Sequence, residues 1–143
     1  MESTIEKQKI ITVQTFLKII FGVVPIVAGL DKFTNLLVHW EIYINPMFLS
    51  ILPFSGEVFM YAVGVIEIGA GIIVIVQPRI GAYIVSAWLV CISLSLLFSG
   101  HFLDVAVRDL VMAAGAFTLA RLTELIGDEQ MSKEKVLVSA HNR

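Results

Sequence analysis

From Ile80 to Leu103 the chain carries no Asp, Glu, Lys or Arg, and from Val58 to Pro78 its only such residue is Glu67. Each run matches the roughly 20 apolar residues that carry a helix across bilayer hydrocarbon. Backbone groups there must find partners within the segment itself, so a run of this kind folds as a helix. Two further runs are less clean: Gln14 to Leu30 contains only Lys18, and Val105 to Ala120 contains only Arg108 and Asp109. All three charges lie near span ends, where long side chains reach the headgroups. Four spans are expected, at about residues 12–32, 58–77, 79–99 and 103–122.

Composition agrees with this reading and removes the alternatives. Hydrophobic residues make up 57% of the chain and charged residues 15%, against roughly 45–50% and about 25% in soluble domains. Disorder requires the opposite balance. Ten Lys and Arg against twelve Asp and Glu leave a net charge of −2, so no basic footprint for nucleic acid is present. Cys91 is the single cysteine, which excludes an intrachain disulfide, a C-x-x-C redox pair and a thiolate zinc site.

The connections predict an all-α, antiparallel four-helix membrane bundle. Gln77-Pro78-Arg79 stops one helix and starts the next, with Pro78 suited to a first helical turn. Ser99-Gly100-His101 is a second short turn. Four spans place both termini and the 77–79 turn on one side. That side holds Lys7, Lys9, Lys18, Arg79, Arg121, Lys133, Lys135 and Arg143, whereas the other holds only Lys32 and Arg108. The bias puts both termini in the cytoplasm. The first span is read as an uncleaved anchor, because its apolar region is long and no small-x-small site closes it. Residues 1–122 form one transmembrane domain, and 123–143 a polar, solvated cytoplasmic tail.

Asp31 to Glu57 is an outer connection with its own pattern. Phe33, Leu36, Leu37, Trp40 and Ile44 share one helical face, predicting an interfacial helix ended by Asn45-Pro46. Such a helix would serve as a lid over an outward pocket or as a connector resting on lipid. Small residues recur every seven positions at Gly22 and Gly29, at Gly64 and Gly71, and at Ala106, Ala113 and Ala120. Helices approach closely at such stripes. Lys18, Gly22, Pro25, Gly29 and Lys32 share one face of the first span. Asp109, Ala113, Ala116 and Ala120 share one face of the fourth, and Glu67 lies between Gly64 and Gly71. On the third span the interior stripe is read as Trp88, Cys91, Ser95 and Ser99, with Cys91 a small core residue.

Glu67 falls near the bilayer midplane, where an ionised acid costs at least about 2.5–3.5 kcal/mol on insertion scales. It is therefore neutral, paired or beside water. Lys32 and Arg108 are its candidate partners, and Asp31, Asp104, Asp109 and His101 add to the same outer half. Functionally, this is a polar pocket open to the outside in which Glu67 orients a ligand or carries a proton. Structurally, it is an ion-paired staple that fixes helix register. His39 and His101 are external, and no spacing pairs them for a metal or haem. Trp40, Tyr43 and Trp88 suit either a quinone ring or interfacial anchoring.

These segments resemble the DoxX family of small four-helix bacterial membrane proteins. The resemblance spans about residues 14–122. It rests on Lys18 and Gly22, on Gly29-Leu30-Asp31-Lys32-Phe33, on VGVIEIGAGIIV around Glu67, on Pro78-Arg79, and on VRDLVMAAGAFTLARL. It implies a membrane subunit of a quinone-linked oxidoreductase complex in the bacterial inner membrane, with quinone bound and partner subunits or further copies alongside. Lys32 and Glu67 match the family's recurrent Lys and Glu, and Arg108 or Asp109 the position on the fourth helix. On this reading Glu67 is the catalytic, proton-carrying group, and Lys32, Arg108, Asp109, Asp31 and His101 bind an anionic substrate or quinone headgroup. The chain has no redox centre of its own, so electrons come from a partner or pass directly from substrate to quinone. The alternative is a non-catalytic accessory subunit of a larger membrane assembly. A transporter ranks last, because four helices enclose little volume and no inverted repeat is present.

Overall fold

The structure, a computed structural model, describes residues 2–141. Helix α1 spans Glu2–Thr34, followed by a 3-10 turn at Trp40–Tyr43 and a short helix α2 at Pro46–Ile51. Three long helices follow: α3 at Gly56–Val76, α4 at Pro78–Ser99 and α5 at Leu103–His141. Helices α1, α3, α4 and α5 are each long and apolar enough to cross a membrane. The protein is a multi-pass, all-helical membrane bundle.

Local chemistry sets the helix boundaries. The Ser55 side chain accepts the Val58 N–H to cap α3, and the Asn45 side chain accepts the Met47 N–H to cap α2. Pro78 occupies the first turn of α4, where its missing N–H costs no helical bond. Gly100 ends α4 at φ 68°, the left-handed position where a helix stops most readily on glycine.

The seven-residue stripes are the helix contacts. A Cβ added at Gly29 would lie 2.6 Å from the Gly64 carbonyl oxygen, and one at Gly64 would lie 2.7 Å from the Gly29 oxygen. One heptad inward the relation repeats, with a Gly71 Cβ 2.5 Å from the Gly22 oxygen. Moving down α1 while moving up α3 preserves the contact, so the pair is antiparallel and packed backbone to backbone. The α4–α5 pair is built differently. Ser93 Oγ donates to the Ala106 carbonyl at 2.7 Å, and Ser86 Oγ donates to the Ala113 carbonyl at 2.9 Å. Ala106, Ala113, Ala116 and Ala120 are buried, as are Gly22, Gly29, Gly64 and Gly71. Ala70 and Val74 of α3, Ala82 and Val85 of α4, and Leu119 of α5 close the core below them. The outer surface of the bundle is lined by Val65, Phe98, Val111 and other large apolar side chains, as lipid contact requires.

Two local expectations are corrected. The connection after α1 does not form one amphipathic helix. Asn35 turns left-handed at φ 49°, and the Asp31 carboxylate captures the Leu36 and Leu37 N–H groups, so the chain folds back. The stripe predicted for the third span is rotated: Cys91 is exposed, and the buried positions are Gly81, Ala82, Val85, Ser93 and Leu96. The polar tail continues α5 to His141 as an exposed helix. Mixed-charge residues there support each other one turn apart, as in the Lys133–Glu129 pair at 2.6 Å.

Candidate functional site

Lys32, in the last turn of α1, and Glu67, midway along α3, meet inside the bundle. Lys32 Nζ donates to Glu67 Oε2 at 2.6 Å, and the two side chains are 3% and 10% exposed. The close backbone approach at Gly29 and Gly64 makes this contact possible. Side chains on a helix lean toward its N-terminus, so the Lys32 stem reaches down α1 while the Glu67 carboxylate leans outward on antiparallel α3. Of the two candidate partners of Glu67, the structure selects Lys32. Arg108 is exposed on α5.

An aromatic roof covers the pair. Lys32 Nζ also lies 3.6 Å from the centroid of the Trp40 ring, a cation–π contact. Trp40 is fixed by its own indole N–H, which donates to Asp31 Oδ2 at 2.7 Å. Asp31 Oδ1 in turn accepts the Leu36 and Leu37 N–H groups at 2.9 and 3.0 Å and the Thr34 hydroxyl at 3.3 Å. The carboxylate of Asp31 is thereby committed to folding the connection. Tyr43 packs edge-on against Phe102 with centroids 4.7 Å apart, tying the roof to the start of α5. Ile44, Met60 and Val63 form a second apolar cluster beneath, flanked by Trp40, Phe59 and Trp88.

Asp109 is the fourth buried ionisable group near this layer, after Asp31, Lys32 and Glu67, at 7% exposure, and it lies within electrostatic reach of Arg108, Glu67 and Lys32. Trp88 is level with Glu67 across the α3–α4 contact. Gly81 packs on the Val74 backbone, and one heptad further along each helix stand Trp88 and Glu67, with the Trp88 ring packed against the Ile44, Met60 and Val63 cluster. The Trp88 indole N–H is buried without an acceptor, which distinguishes it among the described residues.

The sequence-predicted site residues therefore separate into two groups. Lys32, Glu67, Asp31 and Asp109 are buried in the half of the bundle that carries the 3-10 turn and α2. His101 is exposed in the α4–α5 turn with its ring nitrogen 2.7 Å from the Ser99 carbonyl, and Asp104 and Arg108 are exposed on α5. The aromatic roof was missed because its contact runs from Lys32 to Trp40 through a broken helix, and no helical period relates the two. No group of three or more His, Cys, Asp or Glu among the described residues is arranged to hold a metal ion. No family model matches the chain, and neither a curated protein nor a solved structure matches it.

Proposed function

We propose that this chain is a DoxX-like membrane subunit of a quinone-linked oxidoreductase complex, in which the Lys32–Glu67 centre handles the quinone headgroup or an anionic substrate. The observation that carries this reading is the buried ion pair itself. Ionisable groups at membrane depth are expensive, and those that are kept mark ion, proton or substrate paths. Glu67 is the proton-carrying group of this site, and Lys32 the cation that would hold an anionic headgroup. The Trp88 indole N–H, buried at the helical level of Glu67 without an acceptor, offers what a quinone carbonyl needs. That donor is the feature that fits a quinone as substrate. Access would require Trp40 to leave Lys32, so an outward-facing pocket belongs to an opened state of the roof.

The sidedness that goes with this function puts both termini in the bacterial cytoplasm. The basic residues divide eight to two between the two faces, which favours that orientation in the inner membrane. The 3-10 turn and α2 then lie at the outer interface, with Trp40 and Tyr43 at headgroup depth. Partner subunits or further copies supply the electron path.

A second reading has its own support. Lys32 and Glu67 satisfy one another beneath a closed roof, as a staple fixing helix register does. On that reading the chain is an accessory subunit without chemistry. One experiment separates the two: mild-detergent purification from native membranes, identification of co-purifying subunits and quinone, and quinone reduction by the complex with and without Glu67→Gln. A marked loss of reduction in an intact complex supports the redox subunit. Full reduction by the intact Glu67→Gln complex sinks it.

A further inference from the structure

Asp109 is more than nine-tenths buried and engages in no ion pair or hydrogen bond among the described residues. It shares the inward face of α5 with Ala106, Ala113 and Ala116. The register of the helices aims it at the layer of the Lys32–Glu67 pair. Ser86 pairs with Ala113 and Ser93 with Ala106, so Trp88 is level with Val111, and Asp109 stands about 3 Å further out along α5. Its carboxyl leans outward from there, as the Glu67 carboxylate does.

The charges around this layer can be counted element by element. Helix α1 brings Lys32 and Asp31, and α3 brings Glu67. Helix α4 brings no charged residue between Arg79 and Gly100. Helix α5 brings Arg108, which is exposed and projects about 100° away from Asp109 round the helix. Asp31 already accepts two backbone N–H groups, a hydroxyl and an indole N–H. The one buried cation, Lys32, is matched by Glu67 at 2.6 Å. Among the described residues, Asp109 is thus the one buried carboxylate of this layer with neither a hydrogen bond nor an ion pair, and hydrocarbon penalises such an uncompensated charge heavily. A proton on it removes that charge.

We propose that Lys32, Glu67 and Asp109 form a single proton-binding site, with the exchangeable proton on Asp109 while Glu67 stays paired with Lys32. This rests on the proton-carrying reading of the site and moves the resting proton from Glu67 to Asp109. Uptake forms the O–H bond of the Asp109 carboxylic acid from a proton of the medium. Release leaves Lys32 shared between two carboxylates.

The test uses infrared spectroscopy of the full chain in lipid nanodiscs, with aspartate carrying 13C at the side-chain carboxyl. At neutral pH the wild type is expected to show a protonated-acid carbonyl band that shifts with the label. Asp109→Asn removes that band. Glu67→Gln also removes it, because Lys32 then takes Asp109 as counter-ion. Lys32→Met instead adds a second, label-insensitive acid band from Glu67. A wild type without a label-sensitive acid band at neutral pH overturns the proposal, as does a band that survives either Asp109→Asn or Glu67→Gln. The labelled wild type and Glu67→Gln decide the matter even if Asp109→Asn does not fold. No quinone enters the measurement, so the proton site can hold while the redox reading fails on turnover, or the reverse.

Discussion

Lys32 Nζ and Glu67 Oε2 lie 2.6 Å apart between helices α1 and α3, one heptad out from the level where Gly22 and Gly71 touch. Breaking a buried pair by removing one partner strands the other charge, at about 3–5 kcal/mol, whereas replacing both with apolar groups is often neutral. Lys32→Met is expected to destabilise the bundle on that scale, and Glu67→Gln by less, because Asp109 then serves Lys32 as counter-ion. The double replacement Lys32→Met with Glu67→Met should recover most of the loss. Reversible unfolding in bicelles measures all three. A double variant as unstable as the worse single one would show that the pair is not the unit of stability.

The glycine contacts make a sharper steric prediction. Gly29→Ala or Gly71→Ala places a methyl group 2.5–2.6 Å from a backbone carbonyl of the facing helix, and a backbone cannot swing aside as a side chain does. Such overpacking is expected to cost about 1–3 kcal/mol. Gly69 is the internal control, because nothing lies within 4 Å of a Cβ added there. Gly69→Ala should be neutral or slightly stabilising, in line with the better helix propensity of alanine. Equal losses at Gly29 and Gly69 would rule out this packing.

How much of this was legible in the sequence depends on the type of signal. The four spans and the glycine and alanine contacts follow from apolar length and a heptad repeat, both local properties that lipid enforces. The third span misled because it is apolar all round. Trp88, Cys91, Ser95 and Ser99 looked like the polar stripe, yet Ser86 and Ser93 carry the helix contact and Cys91 is exposed. Ser86 and Ser93 also stand seven apart, so the repeat used for glycine and alanine would have found them. The fold-back after α1 was not legible. A single side chain, Asp31, overrides an apolar helical pattern by capturing two N–H groups beyond the helix end.

The serine contacts are expected to be modest. Ser93→Ala deletes a buried hydrogen bond to the Ala106 carbonyl, and interhelical bonds of this kind average about 0.6 kcal/mol in membranes, with a maximum near 1.7. Ser93→Ala should fall in that range and Ser86→Ala at or below it. The same unfolding assay applies. A loss well above the range at Ser93 would mean that the serine holds more than one contact.

Sidedness can be read with introduced cysteines after Cys91 is replaced by alanine. Glu41 lies in the exposed 3-10 turn, and Ser139 near the far end of α5. Glu41→Cys should react with a membrane-impermeant maleimide in intact spheroplasts. Ser139→Cys should react only after the membrane is opened. The opposite pattern would invert the orientation inferred from the basic residues.

Trp40 makes two separable contacts, and two substitutions distinguish them. Trp40→Phe keeps a ring over Lys32 but loses the indole N–H donated to Asp31. Bonds to charged acceptors contribute about 1.5–3 kcal/mol. Trp40→Ala loses that bond and the ring face as well, where a desolvated cation–π contact adds about 2 kcal/mol. Lys32 would then be reached by water from the outer side. Hydrogen exchange at the Leu36 and Leu37 amides reports on the first effect, because Asp31 without Trp40 holds those N–H groups less firmly. Accessibility of Lys32 to an amine-directed acylating reagent in nanodiscs reports on the second. Trp40→Ala should raise Lys32 labelling strongly, and Trp40→Phe should raise it little. Equal labelling in both variants would mean that the ring does not shield Lys32, and that the entry route to Glu67 lies elsewhere in the bundle.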